Sequence, residues 1–279
     1  MIRKMDIKKR IKEKSVSLSG LLTGLVACIV LLACVIGVSV FTYVYVNSIE
    51  ENAVTSSEQA VSQVGKTVTK YIDDMSVIMD LVRTAMEEPE EERSEFLKNL
   101  MEIRKDVEAI TIHSETGTLL ACWSNGQKLK EKVVRNLSYM KVEDNGVVIS
   151  LPHVQNIFVK YYPWVVTFSQ KVVTEGGEVL QVSLDIRFSN IAKYVDEVGI
   201  GAHGYCYIAD TEGNIVYHPQ QQLIYAGLKE EQRENIREHQ NGSYILNGII
   251  YTIQDLQNCD WKIVGVSYVD ELITVRYPQ

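Results

Sequence analysis

AITIHSETGTLL (109–120) and CYIADTEGNIV (206–216) are the two stretches whose comparison decides the fold. With Gly117 set against Gly213, Ile112 meets Ile208, Ser114 meets Asp210, and Leu119 and Leu120 meet Ile215 and Val216. Each stretch reads as a β-rich run, a polar turn containing glycine, and a second β-rich run, which is a hairpin signature. The strands that close each unit echo one another too: LQVSLD from Leu180 against VGVSYV from Val264. Internal repeats are weighed before single elements because they set the architecture. Two copies of a strand–turn–strand, helix and three-strand unit predict two small α+β modules, each an antiparallel sheet with helices on it. Two unrelated hairpins are the competing reading of similarity this short.

Around the echoes the remaining elements fall into place. In the first unit, strands are expected at 107–113, 118–123, 147–151, 164–173 and 179–186, the last two joined by the hairpin signal T-E-G-G. A short helix is expected at 131–140, carrying Arg135 and Tyr139, and another at 188–198. The second unit has its own helix at 229–239 and strands at 243–246, 249–254 and 261–268. A helix from 270 should then head back towards the membrane, and residues 274–279 read as the start of that return, truncated at Gln279. On this reading the chain is a fragment of a longer receptor, or its first span alone both anchors and signals.

Upstream of the units, residues 47–86 contain no proline and one glycine, Gly65. Val54, Val61, Val68, Met75 and Val82 recur every seven residues, and Val64, Tyr71, Ile78 and Ala85 fill the second apolar position of the same heptads. That spacing draws an apolar stripe along one helix. The stripe packs against the chain's own domain, or meets its twin in a homodimer as a/d positions do. Glu87-Glu88-Pro89 ends it, and a second helix at 91–105 has a glutamate-rich first turn, which suits the positive end of a helix dipole.

Further upstream still, no charge occurs from Ser15 to Ile49. The apolar heart, 18–46, is longer than the roughly 20 residues that cross a bilayer core of about 30 Å. Tyr43 and Tyr45 stand near its outer end, where aromatic rings favour the lipid–water boundary. Arg3, Lys4, Lys8, Lys9, Arg10, Lys12 and Lys14 precede it against Asp6 and Glu13, so the tail is expected in the cytoplasm and everything after Val46 outside. A cleaved signal peptide would carry a shorter apolar region and a small-residue cleavage site. This run is longer and ends among bulky rings.

The chain has 28 basic and 36 acidic residues; without the tail, 21 and 34 remain, a balance of −13. Such a surface does not suit nucleic-acid phosphates or anionic lipid. Cys122, Cys206 and Cys259, outside the apolar run, are too few and too scattered for a disulfide framework, so the core must hold by packing.

GYCYIADTEGNIVYHP (204–219), the apolar span, the long helix and the closing DWKIVGVSYVDEL (260–272) together resemble a double Cache domain over about 48–273. The resemblance implies two PAS-like modules, a membrane-distal one at 89–199 and a membrane-proximal one at 200–273, following the tail (1–14), the transmembrane helix (15–46) and a long signalling helix (47–88). It implies a bacterial extracytoplasmic sensor, most like those of Firmicute histidine kinases, with small-molecule ligand binding in the distal module. Chemoreceptors and cyclic-dinucleotide enzymes carry such domains too. The amino-acid-binding branch of the family uses an arginine with nearby aromatics for the ligand carboxylate and a late-strand aspartate for its amine. Asp185 in VSLDIRF stands at that aspartate position. Arg135 and Tyr139 lie four apart on one helix face, but the tryptophan–tyrosine pair of that motif is missing.

A small zwitterion needs a guanidinium fork for its carboxylate, an acid for its ammonium and aromatic walls that exclude water. Arg135, Tyr139, Trp164, Phe168 and Asp185 are the candidates, for an amino acid, an organic acid or an amine. Trp164, Phe168 and Gln170 alternate onto one strand face. The competing reading puts Trp164 and Phe168 in the core and makes Asp185 a local cap. His203, Cys206 and His218 are too few and too poorly phased for structural zinc, so no metal or cofactor is expected. The sequence contains no G-x-S-x-G, H-E-x-x-H or P-loop. A membrane-anchored solute-binding protein without signalling output and a surface enzyme of unrecognised kind are the other classes in contention.

Overall fold

The structure is a computed structural model that describes residues 18–133, 146–174 and 176–269. The chain divides into two compact units, Met1–Asn52 and Ala53–Gln279. Helix α1 spans Leu18–Ala85. Its part in the first unit exposes nearly every apolar side chain, and it is long and apolar enough to cross a membrane.

In the second unit, the α1 residues from Ala53 onward bury one stripe: Val61, Val64, Val68, Ile72, Met75, Met79 and Val82. These belong to the main core cluster, which takes in both sheets. The heptad stripe therefore packs against the chain's own domain. A second helix, α2 (Glu90–Ile103), starts with three glutamates and buries Leu97 and Met101.

The first sheet contains β1 (Val107–Ser114), β2 (Leu119–Ser124), β3 (Val148–Ile149), β4 (His153–Val154), β5 (Trp164–Val173) and β6 (Val179–Arg187). Its order is β2-β1-β6-β5-β3, with β4 also on β5. Helix α3 (Phe188–Asp196) leads to the second module. There β7 (Tyr205–Asp210) and β8 (Ile215–Tyr217) form a hairpin, short helices α4 (Gln221–Tyr225) and α5 (Arg233–Glu238) follow, and β9 (Gly242–Leu246), β10 (Ile249–Asp255) and β11 (Trp261–Tyr268) complete the sheet. The order is β8-β7-β11-β10-β9. All pairings are antiparallel.

The two sheets thus have the same path, with β1/β7, β2/β8, β3/β9, β5/β10 and β6/β11 as counterparts. The hairpin echo is exact in its hydrogen bonds. Ser114 N–H donates to Thr118 O and Gly117 N–H to Ser114 O; Asp210 N–H donates to Asn214 O and Gly213 N–H to Asp210 O. Gly117 and Gly213 sit at φ 84° and 78°, where a Cβ is costly. The closing echo needs a correction. Ile112 pairs with Val182, whereas its counterpart Ile208 pairs with Ile263. LQVSLD therefore matches the residues from Trp261, three earlier than the sequence echo places them. By the same register Asp185, opposite Ala109, corresponds to Val266, opposite Tyr205.

Two expected helices lie partly or wholly outside the described residues: most of 131–140, with Arg135 and Tyr139, and the one from Asp270. Of the helix expected at 229–239, only Arg233–Glu238 is helical.

Candidate functional site

Each strand of the first sheet turns alternate side chains to opposite faces. On one face Val166, Phe168, Val182, Leu184, Ile186 and Ile110 join the cluster that holds α1. On the other face the register aligns polar rows: Asp185 between Ala109 and Thr167, Ser183 between Thr111 and Ser169, and Gln181 between His113 and Lys171. Asp185, Thr167, Ser183, Ser169, Thr111 and His113 are all fully buried. Ile157 and Phe158 pack over this face with Ala109.

Asp185 sits at the head of these rows. The Gln155 Nε2 amide and the Thr167 hydroxyl donate to its two oxygens in short contacts. Gln155 is held in turn by its own Oε1, which accepts from the backbone of Asn156 (2.9 Å) and Ile157 (3.3 Å). His153 Nε2 lies 3.3 Å from the Thr167 hydroxyl and its Nδ1 3.3 Å from Ser150 Oγ. Among the described residues, the buried Asp185 carboxylate thus accepts from an amide and a hydroxyl, groups that a ligand can exchange.

Beside it lies a second carboxylate. Glu108 falls at the register shift between Val107 and Ala109, with a fully buried side chain. Arg187 donates to it at 2.5 Å and the Tyr161 hydroxyl at 3.1 Å. Burial, then the Glu108 charge, pushes the Tyr161 hydroxyl above its ordinary range. The Glu108 hydrogen bond raises Arg187, which stays a cation.

The structure separates the residues singled out from the sequence. Asp185 is on the polar face. Phe168 is on the opposite face, fully buried in the α1 cluster, and this corrects its assignment as a ligand contact. Trp164 shares the Phe168 side of β5, is 49% exposed, and lines a cavity with Phe188, Tyr217 and Tyr225. Arg135 and Tyr139 lie outside the described residues. Sequence reading missed Gln155, Thr167, His153, Glu108 and Arg187. The alternation T-F-S and V-S-L-D, polar at every second residue of two apolar strands, was the available signal for part of this face.

Both modules are tied to α1 by hydrogen bonds. In the first, the Tyr71 hydroxyl donates to Asp106 Oδ2 at 3.0 Å, Arg104 pairs with the same carboxylate at 2.6 Å, and Asp106 O accepts from Arg187 N–H at 2.9 Å. In the second, Ser57 Oγ meets Thr252 Oγ1 at 2.7 Å, Ser243 bridges Thr252 to Glu58, and Asn258 donates to Asp73. Gly265 lets α1 approach β11 closely: a Cβ there would stand 2.4 Å from Val61 Cγ2.

A two-module antiparallel architecture of this order defines a double Cache-type fold. Residues 45–274 match the Cache domain family, and the chain belongs to it. Solved structures agree on the fold. The ligand-binding domain of the Campylobacter jejuni chemoreceptor Tlp3, in complex with 4-methylisoleucine, is 12% identical with a TM-score of 0.64, over 83% of this chain and 97% of that one. That of the Pseudomonas aeruginosa PAO1 amino acid chemoreceptor PctB, in complex with L-Arg, is 14% identical at TM-score 0.60, over 77% and 95%. The domain of a sensory box/GGDEF family protein from Vibrio parahaemolyticus is 11% identical at 0.58, over 80% and 98%. None of the curated proteins compared with the chain matches it.

Proposed function

We propose that this protein is a membrane-anchored sensor whose first module binds a small amine-bearing molecule outside the cell. The observation that carries this is the buried Asp185 carboxylate on the polar face of a Cache-family sheet. The Gln155 amide stands where a ligand ammonium would be received, and an ammonium makes the stronger, charge-assisted bond. Arg135 and Tyr139 remain candidates for the other end of the ligand. Tlp3 and PctB, solved with amino acids or an amino-acid analogue, support an α-amino ligand here.

Orientation follows from the basic tail: tail inside, modules outside. Release of Gln155 and rearrangement of β6 reach Arg187, whose backbone holds Asp106, which holds Tyr71 of α1. Ligand moves that equilibrium only by binding the two arrangements unequally. Pairing of two chains through α1 would carry the shift to the membrane spans. The output is the sensor input of a two-component histidine kinase; the chemoreceptor relatives support a chemotactic output as the second reading.

Thermal unfolding of the full chain in nanodiscs tests the site against amino acids, organic acids, amines and sugars. One class should stabilise the protein, and Asp185→Ala should abolish that shift while Arg135→Ala weakens it. Ligand binding with full affinity in both variants would rule the assignment out.

A further inference from the structure

Trp164 stands apart from Asp185, on the Phe168 side of β5, and lines a cavity of about 320 Å³ with Phe188, Tyr217, Gln221, Gln222 and Tyr225. Trp164 opens β5 and Phe188 opens α3, whereas Tyr217 ends β8 and Tyr225 ends α4 of the second module. Aromatic rings contributed by both modules therefore line one cavity.

These rings are held by their neighbours. Phe188 and Tyr217 meet edge to face, their centres 5.8 Å apart and their planes at 75°. The Tyr217 hydroxyl donates to Asp196 Oδ2 at 2.6 Å, which ties β8 to the end of α3. The Tyr225 hydroxyl accepts from Gln221 Nε2 at 2.8 Å, so a residue that is 73% exposed is still anchored at its tip. With Trp164 49% exposed, two large rings stay open to water beside two that are more covered.

The lining selects an occupant by charge and by hydrogen bonding. Ring faces carry partial negative charge and attract cations, Trp most strongly. Among the described residues, none that lines the cavity is charged, but the Asp196 carboxylate sits on the Tyr217 hydroxyl. The chain after its basic tail has 21 basic against 34 acidic residues, a balance of −13. Both features favour a cation over an anion. A primary ammonium brings three N–H donors that need acceptors, and no carboxylate lines the cavity to receive them. An ammonium whose hydrogens are replaced by methyl groups needs no acceptor and buries those methyls against the rings.

We infer that this aromatic cage is a second ligand site, for a small quaternary ammonium. Its occupant ties the start of α3 to β8 and α4. Phe188 follows Arg187, whose backbone N–H holds Asp106, so the cage and the first site act on the same link to α1. A ligand held by rings of both modules favours the arrangement that brings those rings together, and shifts the equilibrium by that preference.

The full chain carrying 5-fluorotryptophan, in nanodiscs of phosphatidylglycerol, which has no choline head, tests this with choline as the probe. Trp164→Phe assigns the Trp164 resonance among the 3 tryptophans. Choline should shift that resonance, and 3,3-dimethyl-1-butanol, the uncharged analogue of the same shape, should bind about 10-fold more weakly. Tyr225→Ala should weaken choline by a similar factor, while Tyr225→Phe, which keeps the ring, should bind close to the parent. Asp196→Asn should weaken choline and leave the uncharged analogue unchanged. An unmoved Trp164 resonance at millimolar choline overturns the inference. So does equal binding of the uncharged analogue, which would make the cavity an apolar contact surface. Full choline affinity in Tyr225→Ala overturns it too; if Asp185→Ala then abolishes the shift, choline acts from the first module and the proposed function stands.

Discussion

The two sheets follow one strand path, yet the faces they turn away from α1 are made of different chemistry. In the first module that face is rows of Thr, Ser, Gln and Asp; in the second it is tyrosines and aliphatics. The difference centres on one register position, Asp185 against Val266. A shared backbone fixes where a site lies and leaves open what it binds. The first module buries a carboxylate on a strand, where the Gln155 amide and the Thr167 hydroxyl donate to it. The second brings its carboxylate, Glu231, in from a loop, where Tyr205, His218 and Lys229 meet it.

Exchanging that register position gives the largest expected effect. Val266→Asp puts a carboxylate at a 2% exposed position among tyrosines. Its cross-strand neighbours are the rings of Tyr205 and Tyr251, and Glu231 lies on the same face. A loss of about 4 kcal/mol is expected in denaturant unfolding. Little change would mean that the second sheet is as tolerant of buried charge as the first.

The next largest test concerns the two faces of β5. Phe168→Ala empties a fully buried position against α1 and should cost about 3 kcal/mol or more. Trp164→Ala, at a half-exposed position on the same side of the strand, should cost less than about 1 kcal/mol. Equal costs would show that Trp164 is as much a core residue as Phe168.

These two residues also show how far the sequence could be read. The period of two places Trp164, Phe168 and Gln170 on one face, and they are on one face. It does not say which face α1 covers, so a core phenylalanine was grouped with a polar-face aspartate. The hairpins were legible because each turn requires a glycine at positive φ. The closing strands were legible as strands but slipped by three, since runs as uniformly β-rich as LQVSLD and VGVSYV give an alignment no anchor. Asp185 was reached through the family resemblance, whereas Gln155 and Glu231 lie in irregular segments where no periodicity points inward.

The clamps to α1 differ as well, and a smaller effect measures them. Ser57→Ala removes the buried hydroxyl that meets Thr252 and should cost about 1 kcal/mol, because Ser243 still satisfies Thr252. Tyr71→Phe removes the corresponding bond to Asp106, which Arg104 continues to hold. If the clamps carry the signal, Ser57→Ala should weaken output while leaving ligand affinity at the first module intact, as read by paired binding and signalling assays. Unchanged output in both variants would move the coupling elsewhere.

The smallest expected effect is the acid limb of stability. Burial alone would raise Glu231, but hydrogen bonds from His218 and Tyr205 and the charge of Lys229 outweigh it and hold its carboxyl below the usual range. Asp106 behaves likewise: burial raises it, and the Arg104 hydrogen bond and charge pull it lower still. A carboxyl held low in the folded chain binds its proton less readily than in the unfolded chain. Its stabilisation is therefore present above the unfolded value, about 4 for Asp and Glu, and is lost as pH falls through the folded value. Thermal unfolding between neutral pH and pH 3 should show the loss beginning near pH 4. Asp106→Asn should flatten that limb through a pair whose donor, Arg104, keeps its charge at every pH used. Glu231→Gln should flatten it through the second module. If either variant keeps the parent's full acid slope, its module contributes nothing to acid unfolding, and the two carboxylates are less alike than their hydrogen bonds suggest.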